Sequence, residues 1–161
     1  LFNYVRITPF FAAIALAGAG CCPGPVLCSP QMSWSADLPD TVTLESARGL
    51  SVRACRNSVC FARDFSEAEP LDGTLQIELS SQDDEAYVST SIQTVDDGLR
   101  MRLEWLDYGD VEDGDVYTID VLDESGTWIA GVGATPVTYR VSTVEGCGGS
   151  CQSVILEGSR Q

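Results

Sequence analysis

Between residues 75 and 141, apolar side chains recur at every second position in one short run after another, and this period restricts the fold more than any other feature. Leu75, Ile77 and Leu79 alternate with Gln76, Glu78 and Ser80. The period runs through Ala86, Val88, Thr90, Ile92 and Thr94, and is clearest in Leu99, Met101, Leu103 and Trp105 against Arg100, Arg102 and Glu104. It returns in Tyr117, Ile119 and Val121 and again in Val137, Tyr139 and Val141. Alternation places successive side chains on opposite faces, so each run predicts a strand with one buried face. Asp72-Gly73, Asp97-Gly98, Asp113-Gly114, Ser125-Gly126 and Gly146 supply turn signals between the runs, because these residues tolerate the backbone geometry that tight turns need. No helical period of useful length competes. About eight or nine such strands predict an all-β chain, an antiparallel β-sandwich of two packed sheets.

In the segment from Asp113 to Ile119, an Asp-Gly turn is followed by Tyr117 and, two residues on, by an apolar side chain. This resembles the tyrosine corner of immunoglobulin-like and fibronectin-type domains, which implies that Tyr117 bonds back to the chain upstream while Ile119 enters the core. The plainer reading is a tyrosine that simply faces inward.

Residues 10–20 form an apolar block ending in Gly18-Ala19-Gly20, preceded by Arg6 and followed by Cys21 and Cys22. Eleven residues are too few for a membrane span, which needs about 20. A charged start, a short apolar stretch and small exit residues predict an export signal over residues 1–20. The junction resembles a bacterial lipoprotein lipobox, which implies diacylglycerol on Cys21 and a new N-terminus there. It departs from that pattern in having Gly18 where a leucine is usual. Ordinary cleavage after Ala15-Leu16-Ala17 is the alternative. Pro23, Pro25, Pro30 and Pro39 read as a stiff tether over residues 21–40, leaving 41–161 as the sandwich domain.

Seven cysteines are an odd count for an exported chain, in which an unpaired thiol is a reactive liability. Acylation of Cys21 leaves six, in three close pairs. Cys55 with Cys60 and Cys147 with Cys151 flank short turns and are expected as disulfides; Cys22 with Cys28 is the remaining pairing. Loops this short remove little chain entropy, so these bridges are expected to staple hairpins more than to hold the whole fold.

The chain carries 24 acidic residues against nine basic ones, a net charge of −15. Such a field repels phosphates and anionic headgroups, which excludes nucleic acid and leaves acyl chains as the means of membrane contact. All nine basic residues are arginine and there is no histidine. The usual general base and the commonest metal ligand are therefore missing.

Little chemistry can be assigned to named residues. The segment from Asp107 to Asp115, with Asp110, Glu112 and Asp113 between them, is the densest acidic cluster, but a calcium loop begun at Asp110 has Asp115 where the helix-loop-helix pattern needs glycine. Asp110, Glu112, Asp113 and Asp115 are candidates for an irregular inter-strand calcium loop, and otherwise a solvated connection. Cys147 and Cys151 are one residue too far apart for the common redox motif, and without histidine they do not complete a zinc or copper site. There is no Gly-x-Ser-x-Gly elbow, so no catalytic residue and no cofactor are assigned. Trp34, Tyr108 and Trp128 are possible exposed anchors for a partner; packing accounts equally well for Trp105 and Trp128.

Taken together, Cys21, the proline-rich spacer, the Cys55–Cys60 strand segment, the Tyr117 strand and the C-terminal cysteine hairpin resemble exported bacterial lipoproteins with immunoglobulin-like domains. The resemblance implies a membrane-anchored, non-catalytic module of the cell envelope, binding an envelope protein or glycan through its loops. Two other readings stay open: a soluble secreted binding or hydrolase-inhibitor domain, and a carboxylate-based glycan hydrolase.

Overall fold

The structure is a computed structural model, and it describes residues 29–68, 70–80, 84–96, 98–144 and 149–160. The expected export signal, Cys21, Cys22, Cys28 and Cys147 lie outside the described residues. In chain order the strands are β1 (Gln31–Asp37), β2 (Ser51–Arg56), β3 (Val59–Asp64), β4 (Thr74–Glu78), β5 (Ala86–Val95) and β6 (Gly98–Asp107). They continue with β7 (Val116–Leu122), β8 (Trp128–Pro136), β9 (Arg140–Val144), β10 (Gly149–Glu157) and β11 (Ser159–Arg160). A 3₁₀ turn, Ser46–Gly49, precedes β2.

These strands make an antiparallel-dominated β-sandwich. One sheet has the order β4-β5-β6-β1-β10-β9, the other β11-β8-β7-β2-β3. The alternating apolar residues face one another across the gap: Leu75, Val88, Ile92, Met101 and Leu103 from the first sheet, and Val52, Ala54, Ile119 and Val121 from the second, are almost fully buried. Rings join the layers. Trp105 on β6 packs edge-to-face against Phe61 on β3 and Tyr117 on β7, with centroids 5.3 and 5.8 Å apart. Such pairs contribute about 1 kcal/mol each beyond the area they bury.

The tether expected over residues 21–40 is corrected by β1. Met32, Trp34 and Ala36 are buried and alternate with Ser33, Ser35 and Asp37. Pro30 and Pro39, which suggested an extended linker, instead bracket the strand from outside, where a missing N–H interrupts no ladder bond. β1 lies between β6, to which it is antiparallel, and β10, to which it is parallel. Among the described residues the sandwich therefore begins at Gln31, not at Thr41.

Two smaller expectations also shift. Gly98, expected in the β5–β6 turn, already belongs to β6: it pairs with Val95, and Asp96 takes the left-handed conformation at φ 52°. Val137 and Tyr139 are buried but lie outside any strand, and Val141 on β9 is 63 % exposed. Residues 137–139 carry the chain from β8 in one sheet to β9 in the other, so their backbone groups bond to the 113–115 loop instead of a ladder.

Candidate functional site

Alternation continued to the ends of two strands puts charge on the core face. On β2, Val52, Ala54 and Arg56 share one face; on β6, so do Leu103, Trp105 and Asp107. Arg56 and Asp107 thus meet at one end of the sandwich, where the guanidinium Nη1 donates to Asp107 Oδ1 at 2.5 Å. Nε donates to Asp115 Oδ2 at 3.0 Å and Nη2 to the Asp110 carbonyl at 2.6 Å. Both aspartates are buried, Asp107 being 3 % and Asp115 8 % exposed. Arg56 is itself half-buried, and a guanidinium drawn this far out of water is tolerable only when charge-assisted hydrogen bonds engage it in this way.

The β2–β3 hairpin fixes where Arg56 points. Arg56 pairs with Val59, leaving Asn57-Ser58 as a two-residue loop, with Asn57 left-handed at φ 53°. Asparagine accepts that conformation with little strain, and two-residue hairpins require it. Its side chain ties the hairpin tip to the facing loop: Nδ2 donates to Asp115 Oδ1 at 2.7 Å, and Oδ1 accepts the Val116 N–H at 2.9 Å. One step back, Cys55 and Cys60 stand opposite one another and are disulfide-bonded, with Cα atoms 4.1 Å apart.

Two tyrosines close the network. The Tyr117 and Tyr139 hydroxyls are 2.7 Å apart, with Tyr117 also 3.4 Å from Asp107 Oδ2 and Tyr139 3.3 Å from Asp115 Oδ2. The Trp105 indole N–H donates to Asp107 Oδ1 at 2.9 Å. Burial raises both phenols, Tyr139 to about 12 and Tyr117 further, so both stay protonated near neutrality. Burial also works against ionisation of Asp115. The hydrogen bonds from Asn57 and the Glu112 N–H, together with the Arg56 charge, outweigh it and hold the carboxyl below its usual range. Arg56 is likewise opposed by burial, and raised on balance by Asp107 and Asp115.

Above this network a cleft of about 570 Å³ opens to solvent. Its walls are the hairpin residues 56–59, residues 85–86 and residues 107–110, with Trp105 reaching in from the core. Tyr108 stands on the rim, 62 % exposed, and Val59 is 38 % exposed. The Tyr108 N–H donates to the Glu85 carbonyl at 3.1 Å, so the two side chains leave from adjoining backbone. The volume falls in the range of small-ligand or side-chain pockets, about 300–1,000 Å³.

The residues singled out in the sequence distribute unevenly around this end. Tyr117 does not make the tyrosine corner: its hydroxyl bonds to the side chains of Tyr139 and Asp107 instead of the upstream backbone. It faces inward, and Ile119 enters the core as expected. The acidic loop closes around Arg56. Asp115 binds its guanidinium, Asp110 contributes a carbonyl, Asp113 accepts the Tyr139 N–H at 2.9 Å, and Glu112 donates its own N–H to Asp115 at 3.2 Å. Among the described residues, no group of three or more histidine, cysteine or acidic side chains is placed to hold a metal ion. Cys151 is disulfide-bonded, while Cys147 lies outside the described residues. Trp34 is buried in β1 and Trp128 is half-buried on β8; of the three candidate anchors only Tyr108 projects into solvent.

Arg56, Asn57 and Tyr139 were not among the sequence candidates, and Asp107 entered only as the first residue of the acidic cluster. A signal for two of them was present, because the alternation of β2 and β6 ends on a charged residue at a core-face position. The chain matches no family model, no curated protein and no solved structure.

Proposed function

We propose that this chain is a non-catalytic binding module of the bacterial cell envelope, exported by residues 1–20 and anchored by acyl chains on Cys21. Its sandwich presents ligand-binding loops at one end, as immunoglobulin-like modules do. The observation that carries the binding assignment is the cleft of about 570 Å³ over the Arg56 network. In the network beneath the cleft, the buried carboxylates of Asp107 and Asp115 are both engaged by Arg56, and the phenols of Tyr117 and Tyr139 are held protonated. That arrangement supports a rigid floor over a proton-transferring one, because a general base needs an accessible lone pair and a value near the working pH.

The test has two arms in the native cell. A photo-crosslinking residue at Ser58, on the hairpin tip, is expected to capture a partner that the same residue at Ser125 does not. Ser125 lies beyond Leu122, at the opposite end of β7 from Tyr117. Equal capture at both positions, or none at Ser58, overturns the binding assignment. Fatty-acid labelling is expected to disappear in Cys21→Ser. Retained labelling overturns the anchor, and no labelling of either form favours the soluble secreted domain. Glycan turnover lost in Glu85→Gln or Asp110→Asn would replace the non-catalytic reading with the hydrolase one.

A further inference from the structure

Resting on the binding assignment above, we infer that the cleft is built to seat a cationic side chain, an arginine or lysine presented by an exposed segment of a partner protein. Three carboxylates, Glu85, Asp107 and Asp110, line the cleft against one guanidinium, Arg56. The charge of that guanidinium is already matched within the chain, by the two carboxylates it pairs with. Nε, Nη1 and Nη2 are each committed, to Asp115, Asp107 and the Asp110 carbonyl. Asp107 is equally occupied, by Arg56, the Trp105 indole and Tyr117.

The uncommitted charge of the lining is therefore that of Glu85 and Asp110, whose carboxylates make no hydrogen bond or ion pair with any described residue. Both residues are exposed. A ligand that fills the cleft takes these carboxylates partly out of water, at a cost that a neutral ligand leaves uncompensated and an anionic one increases. A cation offsets it. Tyr108 lines the same cleft and is 62 % exposed, and its ring face attracts a guanidinium or ammonium group as well as the apolar stem behind it. Val59, which also lines the cleft and is 38 % exposed, offers the stem a second apolar contact. The charge of −15 over the whole chain also speeds the approach of a basic segment.

The experiment titrates the full chain into a fluorescent peptide of alternating glycine and arginine, and into the same peptide with citrulline, which keeps the shape and removes the charge. Binding of the arginine peptide alone is expected, weakening as salt is raised. Glu85→Gln with Asp110→Asn is expected to weaken it about fivefold or more, given two exposed ion pairs lost together. Asp40→Asn with Asp72→Asn removes the same charge at the far end of the sandwich, where β1 meets Arg100 and β4 meets Gln93, and is expected to change it less than about twofold. Equal weakening by the two double variants would mean a diffuse field and would overturn the inference. So would equal binding of the citrulline peptide, or no binding of the arginine peptide. The crosslink from Ser58 is scored separately: if it persists while the arginine peptide fails, the cleft remains a binding site for another ligand class; if both fail, the binding assignment falls as well.

Discussion

At the scale of single residues, Arg56 has the largest leverage. It pairs with two buried aspartates that have no other cationic partner in the network. Replacing it with methionine strands both charges, and the expected cost is about 3–5 kcal/mol, read as a large drop in the denaturation midpoint. Adding Asp107→Asn and Asp115→Asn to Arg56→Met should recover much of that loss; absence of any recovery would mean that Arg56 acts through packing of its stem. The network also gives stability a pH signature at both extremes. Asp115 is held below its ordinary value of 3.8, so its contribution is present above that value and is lost as the pH falls further. Tyr139 is raised from 10.0 to about 12, so its contribution is complete below pH 10 and is lost as the pH climbs through 12. Thermal melts from pH 8 to 12 should fall steeply at the alkaline end for the parent chain, and less steeply for Tyr117→Phe combined with Tyr139→Phe.

At the scale of elements, the positions that matter are those where the chain changes sheet. β10 belongs to one sheet and β11 to the other, and Gly158 makes the crossing, its N–H bonded to the Ser35 carbonyl at 2.8 Å. A Cβ at Gly158 would lie 2.5 Å from the Ala36 Cβ and 2.8 Å from the Trp34 ring, both fixed in the core. Gly158→Ala is therefore expected to destabilise by about 1–3 kcal/mol, measured by denaturant unfolding, since neither neighbour is a flexible chain end. The Cys55–Cys60 bridge closes a short loop between strands that already pair. Its removal as Cys55→Ser with Cys60→Ser should cost about 2 kcal/mol, without loss of the fold. The bridge was legible because two cysteines flanked a turn. The placement of Val137 and Tyr139 was not, because burial produces the same alternation in a connection that crosses the sandwich end as in a strand.

At the scale of the whole molecule, the sandwich depends on a strand that the prolines around it disguised. β1 occupies the middle of the six-stranded sheet, with Met32 and Trp34 almost fully buried, each contributing roughly 2–3 kcal/mol through burial. A chain starting at residue 29 should fold cooperatively, whereas one starting at residue 41 should lose its cooperative transition, because removing β1 leaves β6 and β10 as unpaired edges; circular dichroism melts decide between them. The sequence by itself determined the strand faces, the turns and the all-β class, since a period of two and turn-forming residues are local properties of the backbone. It also held Arg56 and Asp107 at core-face positions. Only the tertiary structure decided that these two charges meet, that the acidic loop closes on a guanidinium of its own chain, and that Tyr108 is left on the rim of a cleft. Those contacts join residues about 50 positions apart through two sheets, and no local period carries that information.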